Sequence, residues 1–207
     1  MSHYPNPMHA QAARSSSQAY VSLSQGSVPQ RPAFTSPTRR RVPQAPYSPT
    51  SKWKVATGRA HQLHASVAFD YPGQVRQGVS MRELSLKATS TLIQGAGDAV
   101  FSNTGLQRIV FRILTHGNSR QWPGYEHVEW CRAIVIVSPN GAPITRVALG
   151  QQVAQNFARF IEKTQYETSS VQDLMVGPSC VRFEHVYLIS LHNVFEDSWQ
   201  ADIALDL

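Results

Sequence analysis

The sequence predicts an α+β fold: a mainly antiparallel sheet with about two helices packed on it, preceded by a disordered N-terminal tail. Three features carry that expectation. Composition changes near residue 51; several later segments alternate apolar and polar residues with the period of a strand; and one long stretch repeats apolar residues at helical spacing. Strands and helices do not alternate regularly, which disfavours a parallel sheet built from strand-helix-strand units. The expected organisation is a tail over residues 1–51 and a single globular domain over residues 52–207.

Charge divides at the same boundary. Of the 19 Lys and Arg in the chain, residues 1–51 hold five (Arg14, Arg31, Arg39, Arg40 and Arg41) and no Asp or Glu, whereas the remaining fourteen face thirteen acidic residues. Five of the six net positive charges therefore belong to the tail. The near-neutral domain lacks the clustered cations that a broad phosphate-binding face needs to release counterions.

The tail is rich in Ser, Pro and Gln, with single apolar residues at no regular period, so it cannot bury enough surface to offset its ordering entropy. Its "SPTRRR" resembles the Ser-Pro-x-Arg/Lys consensus of cyclin-dependent kinases, which makes Ser36 a candidate phosphorylation site. Ser48, in "YSPTSK", is a second. Phosphate at either place would cancel local positive charge. Arg39, Arg40 and Arg41 form a basic run, read as a short nuclear address or as solubilising charge.

Beyond residue 51, "SKWKVAT" and "HQLHASVAFDY" alternate as half-buried strands do, and "YPGQVRQG" supplies a turn. "SMRELSLKATSTLIQGAG" predicts a helix over residues 81–94. Ser80 and Glu83 have the spacing of a capping box, Met81, Leu84, Ala88 and Leu92 share one face, and Gly95 stands at the exit. The glycines of "GAGD" follow that helix, and no Gly-Lys-Ser/Thr comes after them, so a helix cap explains them better than a phosphate loop. "LQRIVFRIL" is a strand with Ile109, Phe111 and Ile113 on one face. "EHVEWCRAIVIV", roughly residues 126–137, is another, ended by the turn residues of "SPNGAP".

A long amphipathic helix then begins at Thr145, with Leu149, Val153, Phe157, Phe160 and Ile161 on one side. Gln152, Gln155, Arg159, Glu162 and Lys163 lie on the other. "CVRFEHVYLISLHNVF" and "SWQADIALDL" read as two closing strands joined by the turn "EDS". No stretch approaches the ~20 apolar residues of a membrane span, and the N-terminus has no apolar core of a secretory signal. The expected location is intracellular, cytoplasmic or nuclear. Cys131 and Cys180 are read as packed thiols.

The densest cluster of chemistry is "WPGYEHVEW", residues 122–130. Trp122 and Tyr125, beside the polar loop "THGNSRQ", are candidate interaction anchors if exposed and core lids if buried. "YEHVEW" returns as "FEHVYL" at residues 183–188, so neighbouring strands would bring His127 to His185. These two are the candidate metal ligands. The pattern falls short of the three or four convergent ligands of a zinc site, and His and Glu alternate to opposite faces. Neither cysteine lies at a helix N-terminus, and no Gly-x-Ser-x-Gly is present, so no nucleophile is assigned. No cofactor is expected.

"WPGYEHVEW", "ITRVALGQQVAQNFARFIEK" and "FEHVYLISLHNVFEDSWQADIALDL" together resemble a domain of uncharacterised proteins from mushroom-forming fungi, over roughly residues 75–207. The resemblance implies lineage and a discrete domain, with no activity and no functional residue to carry over. The expected function is a non-enzymatic protein-interaction or regulatory protein with a phosphorylatable basic tail. Two alternatives stand beside it: a nuclear factor that binds nucleic acid through residues 1–51, and a metal-dependent enzyme.

Overall fold

Alternation of apolar and polar residues along a strand gives a sheet two faces of different chemistry. The computed structural model describes residues 32–43, 64–86, 93–114, 122–125 and 127–207. Among these the sheet has seven strands: β1 (Arg39–Arg41), β2 (Val67–Ala68), β3 (Val79–Ser80), β4 (Arg108–Leu114), β5 (Trp130–Val135), β6 (Val186–Phe195) and β7 (Ser198–Asp206). The central order is β2-β6-β7-β4-β5, with β3 also on β6 and β1 also on β7. All pairs are antiparallel except β4 with β7. The fold is α+β, with a mostly antiparallel mixed sheet.

Two α-helices accompany the sheet among the described residues: α1 (Met81–Ser85) and α2 (Arg146–Thr164). The apolar side of α2 buries Leu149, Val153, Ala154, Phe157 and Phe160 against the sheet, where Phe157 meets Phe111 edge-on at 6.0 Å. Ile109, Phe111 and Ile113 are all buried, as their alternation requires. Asn156 also lies on the buried side. Its Oδ1 accepts Trp130 Nε1 at 3.3 Å and its Nδ2 donates to the Gln152 carbonyl, so its polarity is satisfied within the core.

The start of α2 shows what "GAGD" does. Thr145 is the N-cap, its hydroxyl accepting from Ala148 N, while the carbonyls of Ala96 and Asp98 accept from Val147 N and Arg146 N. Asp98 also pairs with Arg146 at 3.0 Å. The first amides of α2, which have no partner within the helix, are thus satisfied by the glycine turn. The turn caps the following helix, not the exit of the preceding one.

The helix expected over residues 81–94 opens as α1, and its residues 87–92, with Ala88 and Leu92, lie outside the described residues. α1 ends at Ser85, because Leu86 is extended, and residues 93–97 form a bend and turn. No capping-box bond forms from Ser80. Tyr71 does that work instead: its hydroxyl accepts from Ser80 N at 3.3 Å and donates to the Glu83 carboxylate. Burial and that carboxylate push the Tyr71 phenol upward.

Two further expectations change. The strand expected at 126–137 begins only at Trp130, since His127 sits in a turn, and Phe183–His185 form a 3-10 turn ahead of β6. Residues 34–43, expected to be disordered, carry β1 and join the sheet, so the compact unit runs over Phe34–Leu207 and starts well before residue 52. Long-range pairing with β7, invisible to local composition, orders them. The expected strand around Trp53 and Val55, the candidate Ser48, the "THGNSR" loop and Glu126 lie outside the described residues.

Candidate functional site

Trp122 and Tyr125 are both fully buried. The Trp122 ring packs 5.5 Å from Phe160 and 6.4 Å from Phe157, and its Nε1 donates to the Leu174 carbonyl at 2.8 Å. The Tyr125 hydroxyl accepts from Val176 N at 2.8 Å, and burial pushes its phenol upward, so it stays neutral. Both rings are core, and the reading of them as exposed interaction anchors is corrected: the segment after α2 supplies polar partners for their heteroatoms and closes over them.

What remains open near that motif is a depression of about 570 Å³ lined by Gly124, His127 and residues 167–170. His127 Nε2 lies 3.5 Å from a Glu167 carboxylate oxygen, with both side chains about half exposed. His185 is elsewhere, its Nδ1 accepting from Arg182 N at 3.3 Å. β5 pairs with β4, while β6 pairs with β2, β3 and β7, so the two copies of the Glu-His-Val echo are not neighbours and the histidines are not brought together. Among the described residues no group of three His, Cys, Asp or Glu is placed to hold a metal ion. Cys131 and Cys180 are free thiols, each half-buried.

The chemistry gathers instead on the sheet face opposite α2. Register places Arg112, Ser198, Asp202, Tyr187, Ser190 and His192 there, and β1 adds Arg39 and Arg41. His192 is held between two hydroxyls, with Ser66 Oγ 2.6 Å from Nδ1 and Ser190 Oγ 2.8 Å from Nε2. No signal in the sequence joined these three, because Ser66 is 126 residues from His192.

The carboxylate of Asp206, on the same face, gathers bonds from three residues. Its Oδ1 accepts from Ser36 Oγ at 3.0 Å and from Thr38 Oγ1; its Oδ2 accepts Arg39 Nη2 at 3.0 Å and Nε at 3.1 Å. The Arg39 guanidinium lies 3.7 Å above the Tyr187 ring, and Arg41 pairs with Asp202. Gln77 Oε1 accepts from Thr35 N, and the Gln77 carbonyl accepts from Arg39 Nη1, both at 2.9 Å. Val42 closes the segment, buried and donating to the Ile203 carbonyl. Residues 34–42 therefore form a clasp along the end of β7. Of the basic run, Arg39 and Arg41 are consumed by it, and Arg40 is exposed.

Burial alone would raise the Asp206 carboxyl, but the hydrogen bonds from Thr38, Arg39 and Ser36 outweigh it and hold the group below its ordinary 3.8. A depressed carboxyl stabilises the folded form above the ordinary range, and the contribution is lost as pH falls through the lowered value. The clasp is thus expected to loosen in acid below pH 3.8, ahead of residues in α2. An NMR titration of the Asp206 carboxyl carbon checks this: its midpoint is expected below 3.8 in the wild type and higher in Arg39→Ala.

No helix among the described residues is long and apolar enough to cross a membrane. No family model, curated protein or solved structure matches the chain.

Proposed function

We propose that this protein is a non-enzymatic interaction and regulatory protein that pairs an extended segment of another protein along the end of β7. The observation that carries the reading is the clasp. β4 covers β7 only at residues 198–200, and β1 covers residues 204–206 on the same side. Without β1, that stretch is an unpaired edge, and an unpaired edge is a template for an added strand. Asp202 and Asp206 then present two carboxylates along it. The partner segment is therefore one like the clasp itself, with a hydroxyl residue ahead of Arg-x-Arg.

Binding of nucleic acid through the arginine run is less favoured, since Arg39 and Arg41 already face carboxylates. An intracellular setting, cytoplasmic or nuclear, and the kinship with the fungal domain belong to the same proposal.

A labelled peptide with the sequence of residues 34–43 tests the edge directly. It is expected to bind the full-length Arg39→Ala/Arg41→Ala variant, whose own clasp is weakened, about tenfold more tightly than the wild type, as loss of a charge-assisted bond implies. Adding Asp206→Asn should abolish the difference. Equal or absent binding to all three proteins would sink the reading.

A further inference from the structure

We propose that Ser36 is a phosphorylation switch whose modification releases residues 34–42 from β7. The proposal rests on the interaction reading for its consequence, but its first step concerns the clasp alone. Ser36 precedes Pro37 and stands ahead of Arg39, Arg40 and Arg41, a pattern that suits a proline-directed kinase favouring basic residues downstream. The reaction transfers the γ-phosphoryl group of a nucleoside triphosphate to Ser36 Oγ. One O–P bond forms, the bridging bond to the γ-phosphorus breaks to leave the nucleoside diphosphate, and the hydroxyl proton passes to the kinase base.

The position of Ser36 makes that modification incompatible with the clasp. Its Oγ donates to Asp206 Oδ1 at 3.0 Å and lies 3.0 Å from Thr38 Oγ1. A phosphorylated oxygen has no proton to donate, and it brings a charge of about −1.5 to −2 against a carboxylate. Arg39 already serves that carboxylate: its fork is on Asp206 Oδ2 and its plane lies on Tyr187. If Arg39 stays, phosphate and carboxylate repel. If it turns to the phosphate, it leaves both Asp206 and the ring. Either path breaks the clasp.

The same geometry sets the order of events. Ser36 and Pro37 lie in a turn closed by Arg39 N donating to the Ser36 carbonyl at 3.3 Å, whereas a kinase groove takes extended chain. The kinase therefore acts on the transiently released segment, and the phosphate prevents its return. This is population trapping, driven by the difference in affinity of modified and unmodified segments for β7.

The test treats the full chain with a proline-directed Ser/Thr kinase and MgATP, locates phosphate by mass spectrometry and follows amide hydrogen exchange. Phosphate on Ser36 is expected to speed exchange over residues 39–42 by about tenfold, the loss of roughly one charge-assisted bond, with α2 unchanged. Ser36→Ala should keep slow exchange after the same treatment. Two results would overturn the switch: phosphate on Ser36 with unchanged or slower exchange, or no modification of Ser36 in the full chain while the isolated 34–43 peptide is modified. The peptide-binding experiment on Arg39→Ala/Arg41→Ala involves no phosphate, so its result stands whichever way the switch falls. Conversely, faster exchange without peptide binding would keep the switch and remove the partner.

Discussion

Trp122→Ala is expected to lower stability by about 3–5 kcal/mol, the range for deleting a buried large aromatic. The ring is fully buried against Phe157 and Phe160, so its removal leaves a cavity as well as losing apolar burial. It also removes the donor to the Leu174 carbonyl. A loss of this size is a large part of the margin of an ordinary domain. Urea unfolding checks it, with Arg40→Ala, at an exposed position, as the control expected to change stability by less than about 0.5 kcal/mol. An exposed anchor would behave in the opposite way, leaving stability unaltered and weakening only association.

Gly124→Val should produce the second large loss, for a different reason. Gly124 has a φ of 97°, a backbone conformation that costs an L-residue about 1–2 kcal/mol. A Cβ there would stand 2.1 Å from Ser169 Oγ and 3.0 Å from Val171 N. Ser169 can turn away, but the Val171 backbone cannot move without disturbing the segment that closes over Trp122 and Tyr125. Overpacking of that kind costs about 1–3 kcal/mol more. Thermal unfolding should therefore show a marked fall in midpoint, and Gly124→Ala a smaller fall of the same sign. A valine variant as stable as the wild type would mean that the turn is not held as described.

These two substitutions bear on one motif, and together they separate its roles. "WPGY" is a buried plug: Gly124 provides the bend, and the aromatic rings on either side fill the space between α2 and the segment after it. Its accessible chemistry is confined to the neighbouring depression with His127 and Glu167. At the other face of the sheet, Asp206 gathers bonds from three residues of the N-terminal segment.

Some of this was determined by the sequence alone. The stripe of Leu149, Val153, Phe157 and Phe160, beginning after Thr145, sufficed for α2, because the helix period acts within a few turns. Ile109, Phe111 and Ile113 likewise reported the buried face of β4 through a period of two. The tight turn between β6 and β7 followed from local residues as well, with Glu196 taking a positive φ.

Tertiary structure decided the rest, and in each case the deciding partner lies far along the chain. Trp122 and Tyr125 are core because acceptor and donor come from Leu174 and Val176, 52 and 51 residues away. The Ser80-Glu83 pair does not cap α1 because Tyr71 reaches both the Ser80 amide and the Glu83 carboxylate. Most consequentially, Ser36, Arg39 and Arg41 read locally as a solvated basic tail. Arg39 and Arg41 become part of a strand, with Ser36 in the turn before it, because Asp202 and Asp206 wait 161 to 170 residues later. Composition and periodicity sum over neighbours in sequence, whereas an ion pair or a strand register depends on neighbours in space.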